Sequence, residues 1–112
     1  WSMGGAVVLE VAAEAIQKGF QINGVATVAS QTAGLQHGSL KASAQFLGMQ
    51  IPLLLLHGSK DTCLVPLCSE QIFAWSGGAK GTAELKILDG NDHGCFDADF
   101  HVESFIKSIC KK

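Results

Sequence analysis

Apolar positions along the chain fall into two kinds of block, and the blocks alternate. Residues 2–18 carry Ala6, Val7, Val8, Leu9, Val11, Ala12, Ala15 and Ile16 against only Glu10, Glu14 and Lys18. That pattern predicts a helix buried over most of its circumference, with Gly19 stopping it just past its end. Glu14 and Lys18 form an i,i+4 pair in the favourable orientation. Residues 24–29 place Val25 and Val28 among small side chains after an Asn-Gly turn, which reads as a strand buried on both faces. Residues 35–49 mix Gly, Ser, Lys and Gln with Leu40, Ala44, Phe46 and Leu47, as a loop and one short helix would. The run of leucines in 52–58 is too short for a helix and opens on proline, so a second buried strand is expected.

The second half repeats the alternation. Pro66 suits a helix start, and Leu67, Ile72, Phe73 and Trp75 follow before Gly77-Gly78 ends the segment. From Ala83 to Leu88, Glu84 and Lys86 interleave with Leu85, Ile87 and Leu88, a third strand. A polar, glycine-rich loop over 89–94 precedes a helix over 97–110, where Phe100, Val102, Phe105, Ile106 and Ile109 line one face. Lys111 and Lys112 suit the negative end of that helix. Helix and strand thus alternate from end to end. The expected fold class is α/β, with three parallel strands, flanking helices and right-handed crossovers.

Composition narrows the function classes. One domain at most fits in 112 residues, of which 47% are hydrophobic and 16% charged. The net charge is −2 and the eight Lys/Arg are scattered, so no basic stripe for nucleic acid is present. The apolar run over 51–56 is far too short for a membrane span, and no signal-peptide pattern opens the chain. Cys63, Cys68, Cys95 and Cys110 make no Cys-x-x-Cys pair and no zinc-like spacing with histidine, so no metal or other cofactor is expected. They read as reduced, mostly buried thiols of a cytoplasmic protein. Cys63 and Cys95 each follow a candidate site residue by two positions, which leaves a redox-sensitive activity open.

Candidate chemistry begins at Trp1-Ser2-Met3-Gly4-Gly5. It has the form Gly-x-Ser-x-Gly without the leading glycine. In that motif a strained strand-to-helix turn lifts a serine hydroxyl clear of a sheet. A serine N-cap followed by two softening glycines is the bland alternative. In a parallel α/β sheet ligands bind beyond the carboxyl ends of the strands, so partners of Ser2 belong just after later strands. Asp61 follows the second strand and His93 the third, giving the order serine, acid, histidine. Asp89, Asp92 and Asp97 are rivals for the acid, and position after a strand favours Asp61. His57 reads as structural, tuning the turn; His37 and His101 read as a loop and a surface-helix histidine. A histidine activates the weak serine nucleophile, and a carboxylate fixes the tautomer of that histidine. The Met3 N–H would be one oxyanion donor, the second lying outside these residues. Trp1, Leu64 and Phe96 are candidate substrate-binding walls.

On these motifs the chain resembles the C-terminal half of an α/β hydrolase, similar to small carboxylesterases and dienelactone-hydrolase-like enzymes. The resemblance runs through WSMGG, IPLLLLHGSKDTCLVP and LKILDGNDHGCF. It implies that Ser2 is the nucleophile, Asp61 the acid and His93 the base. Dienelactone hydrolases in the strict sense carry a cysteine nucleophile, so ordinary serine esterase chemistry is expected here. Only about twenty residues separate the first two strands, room for a loop and one helix but not a cap domain. A small or flexible ester, thioester or lactone is therefore the expected partner. A non-catalytic ligand- or protein-binding domain, or an acyltransferase or perhydrolase with the same triad, are the alternatives. The resemblance also implies that the half before the turn is missing. These residues by themselves are then expected to be unstable or oligomeric, and inactive.

Overall fold

The computed structural model describes residues 1–32 and 39–110, without the side chain of Ser39. Within them run helix α1 (Met3–Gln17), strand β1 (Val25–Val28), helix α2 (Ser39–Leu47) and strand β2 (Leu53–Gly58). Helix α3 (Leu67–Trp75), strand β3 (Ala83–Leu88) and helix α4 (Ala98–Ile109) follow. The fold is α/β: a three-stranded, all-parallel sheet in the order β1-β2-β3, flanked by helices. His37, part of the expected loop over 35–38 and the terminal lysines lie outside the described residues.

Side-chain alternation divides the sheet into two faces. Val25, Leu53 and Leu55 bury against α1, α2 and α3 through Leu9, Leu40, Leu47 and Ile72. Val28, Leu54, Leu56 and Leu88 turn the other way, toward Ala98, Val102 and Phe105 of α4. Both crossover helices lie on one face while the sheet advances in chain order, so the two crossovers share one hand. Leucine is not the strongest strand former, yet all six residues of β2 are buried. Burial between two layers overrides local propensity there.

Gly19 stops α1 as the sequence suggests, at φ 94°, with the Phe20 N–H closing on the Ala15 carbonyl at 3.0 Å. The expectation that α1 is buried over most of its circumference is corrected. Its buried stripe is Gly5, Ala6, Leu9, Ala12 and Ala13, whereas Val8 and Val11 are 45% and 52% exposed. Scarcity of charge marks this helix as small and apolar; it does not enclose it. A short 3₁₀ turn, Gly78–Lys80, follows α3 where only a stop was expected.

At the edge strand β1 the ladder sets up the functional end. Val25 and Ala29 donate their N–H groups to Pro52 and Leu56, so alternate residues face β2. The Val28 carbonyl therefore points to the opposite, outer side, and it accepts the Ser2 N–H at 2.9 Å. The start of α1 is thereby hung on the carboxyl end of the first strand.

Candidate active site

Ser2 occupies the turn into α1 with φ 54° and ψ −125°, a region that a non-glycine residue enters only under constraint. The constraint is visible. Its N–H is held by Val28, and its carbonyl accepts the N–H of Gly5 at 3.1 Å and of Gln31 at 3.4 Å. A plain serine N-cap would have β-region dihedrals and a side-chain bond to the helix. Ser2 stands at the N-cap position with neither. Between the two glycines the structure separates the roles. Gly4 has open space where a side chain would stand, whereas a β-carbon on Gly5 would lie 2.8 Å from Cβ and Oγ of Ser30. Gly5 is therefore what lets α1 approach the end of β1. Met3 is the first helical residue, and an N–H in that place has no intrahelical acceptor. It adds to the positive end of the helix dipole.

The acid sits in the turn after β2. Asp61 is buried, 3% exposed. Its Oδ1 accepts the N–H groups of Cys63 at 2.9 Å and Leu64 at 2.8 Å. Its Oδ2 lies 2.8 Å from His93 Nδ1 and 3.2 Å from His57 Nε2. Burial is the largest single influence on this carboxyl and opposes its charge. The Leu64 N–H, the His93 ring and the Cys63 N–H together outweigh it and hold the carboxyl below its ordinary range.

His93 stands in the loop after β3. Its Nδ1–H donates to Asp61, which leaves Nε2 as the nitrogen able to take a proton. A buried asparagine braces the loop. Asn91 Nδ2 donates to Asp97 Oδ2 at 2.8 Å and to the Asp89 carbonyl at 3.2 Å, and its Oδ1 accepts the Asp97 N–H at 3.0 Å. Of the rival acids, Asp97 is thus engaged with Asn91, and Asp92 accepts the Gly94 N–H in a local turn. Asp61 is the carboxylate that reaches the histidine. The loop also crosses directly over β2. A β-carbon on Gly58 would overlap the Asn91 carbonyl oxygen and lie 2.6 Å from that of Asp92.

The structure thus joins Asp61 to His93 directly. Among the described residues no hydrogen bond joins the Ser2 hydroxyl to His93; the turn that carries Ser2 meets the histidine loop through Trp1 Nε1, which donates to the His93 carbonyl at 3.3 Å. Non-glycine residues with positive φ are Ser2, Ala29 just after β1 and Cys95 just after His93, all at the carboxyl end of the sheet. Strain collected at one end is a mark of functional sites.

The candidate walls separate. Leu64 is fixed by its backbone, Phe96 is 80% exposed, and Trp1 lines an apolar groove of about 560 Å3 beside α4 with Ala26, Val28 and Val102. That groove contains none of Ser2, Asp61 and His93. A second cavity, of about 320 Å3, is lined by Thr32, Val65, Leu67, Cys68, Gln71 and Trp75, and it too contains none of Ser2, Asp61 and His93. None of these six was expected to line a site.

Cysteine placement also needs a correction. The four thiols are free, but Cys63 and Cys110 are exposed, Cys68 is half-buried and only Cys95 is buried. Burial, then the charges of Asp61, Asp97 and Asp92, push the Cys95 thiol up, which keeps it protonated and inert. No group of acidic, histidine and cysteine side chains suited to a metal ion occurs among the described residues, and no helix there is long and apolar enough to cross a membrane. No protein-family model and no curated protein matches the chain.

Proposed function

We propose that the chain is part of an α/β hydrolase and that it cleaves a carboxylic ester or thioester through Ser2, Asp61 and His93. The observation that carries this reading is the Asp61–His93 bond of 2.8 Å at the same end of the sheet as a serine held at φ 54°. His93 Nε2 takes the Ser2 proton as Oγ attacks the acyl carbon. Asp61 stays ionised, holds the tautomer and stabilises the imidazolium. The Met3 N–H donates to the oxyanion. Collapse of the tetrahedral adduct expels the alcohol or thiol, which takes its proton from His93, and water then releases the acid from the acyl-enzyme.

Among the described residues one helix, α2, lies between β1 and β2, and it packs against α1 and α3. Four free cysteines fit a reducing, cytoplasmic setting. The test is labelling of the intact protein by a serine-directed fluorophosphonate. Labelling is expected on Ser2 and is expected to vanish in Ser2→Ala. An unlabelled wild type, or equal labelling of the variant, overturns the reading.

A further inference from the structure

One buried titratable group beside the triad is not used by that mechanism. His57, at the end of β2, is fully buried, as is Ser69 in the first turn of α3. His57 Nδ1 lies 2.6 Å from Ser69 Oγ, and His57 Nε2 lies 2.6 Å from the Leu64 carbonyl. A carbonyl only accepts, so Nε2 carries a hydrogen, and in the neutral ring Nδ1 accepts the Ser69 hydroxyl. The same Nε2–H also faces Asp61 Oδ2 at 3.2 Å.

Two closures result. Leu64 is held at both ends: its N–H donates to Asp61 Oδ1, and its carbonyl accepts from His57. The Asp61 carboxylate accepts two backbone N–H groups on Oδ1 and the His93 Nδ1–H on Oδ2, and the His57 ring stands against Oδ2 at 3.2 Å. Its rotation is hindered on both sides: Leu64, tied to His57, holds Oδ1, and the His57 ring packs against Oδ2. Without His57, Oδ2 keeps His93 alone, and the carbonyl of Leu64 loses a buried donor. A buried histidine needing only satisfaction would have been content with Ser69 and Leu64. The third approach, to the oxygen that also holds His93, gives the pair a task.

We propose that His57, oriented by Ser69, is a positioning residue that locks the Asp61 carboxylate and so aims the His93 ring. The line of support runs from α3 through Ser69 to β2, then through the acid turn to the histidine loop. The kinetic part of this inference rests on the hydrolase reading; the positioning itself does not.

The test uses the intact protein with His57→Leu, His57→Gln and Ser69→Ala. Glutamine places an amide N–H near the Nε2 position and restores the donor to Leu64 beside Asp61 without the bond to Ser69. Imidazole ¹⁵N–¹H spectra report the His93 Nδ1–H directly, with no need of turnover. That signal is expected in the wild type and in His57→Gln, lost to exchange in His57→Leu and weakened in Ser69→Ala. Ester turnover is expected to follow: kcat falls roughly tenfold to a hundredfold in His57→Leu with KM unchanged, and His57→Gln recovers most of it. A folded His57→Leu that keeps the His93 signal overturns the proposal, as does a His57→Gln that restores nothing. If His57→Leu does not fold, Ser69→Ala decides, and an unaltered His93 signal there is contrary. A wild type with the expected signals but no fluorophosphonate labelling sinks the hydrolase reading and leaves the positioning intact.

Discussion

Asp61 and Ser2 stand at the same end of the sheet but are held in different ways. Asp61 is fastened through its side chain, by two backbone N–H groups and the His93 ring, with the His57 ring packed against it. Ser2 is fastened through its backbone, by Val28, Gln31 and Gly5, and its side chain carries no cap bond. The acid corner is satisfied and buried; the serine turn is strained and partly open. The difference suits the division of work. Under the proposed hydrolase reading, an acid that stays ionised and still gains from a full set of donors, and a serine that gives up a proton and attacks gains from an unencumbered hydroxyl on a rigid support.

The largest expected effect breaks the satisfied corner. Asp61→Asn sets an NH₂ or an uncharged oxygen against donors and frees the His93 tautomer. Turnover is expected to fall on the order of 10³–10⁴, measured as kcat on a small activated ester. The same corner governs acid stability. The folded carboxyl is held below its ordinary range, so it ionises more readily folded than unfolded. Its stabilisation is complete above about pH 4 and is lost as pH falls through the folded value. Denaturant midpoints measured down that limb are expected to flatten in Asp61→Asn. An unchanged limb assigns the acid sensitivity to other carboxylates.

Next in size are the glycines that allow each region its close approach. Gly58→Ala drives a β-carbon into the Asn91 and Asp92 carbonyls, fixed backbone of the histidine loop, and is expected to cost about 3 kcal/mol. Gly5→Ala meets Cβ and Oγ of Ser30 at 2.8 Å, a longer approach than at Gly58, so about 1–2 kcal/mol is expected. Equal costs in chemical denaturation contradict the claim that the acid corner is the less compliant of the two.

The smallest effect has the opposite sign. Ser2→Gly removes the β-carbon from a positive-φ position and is expected to stabilise the fold by about 1 kcal/mol while abolishing hydrolysis. A loss of stability in that variant shows that Ser2 is not strained.

The sequence carried the skeleton of this account because strands and helices here have distinct periods. The bounds expected for β3 and α3 coincide with those observed, and those of α1, β1, β2 and α4 differ by one residue at an end; α2 was expected only as a short helix somewhere within 35–49. Asp61 was legible because chemistry in a parallel sheet gathers after strand ends. Three features were not. Val8 and Val11 look like core in a helix with few charges, and which face is covered is decided by neighbours. The His57–Ser69 bond joins residues twelve apart on different elements, and no local pattern marks it. Asn91 stands in a loop of ordinary turn formers, where only the fold reveals that both ends of its amide are engaged.

The most direct test of the central claim is to look for the acyl-enzyme. The intact protein, carrying Asp61→Asn to slow deacylation, is mixed with a small activated ester, quenched in acid and digested. Mass spectrometry is expected to find the acyl group on Ser2, and none on Ser2→Ala. Hydrolysis that survives Ser2→Ala, or an acyl group found on another residue instead, contradicts it.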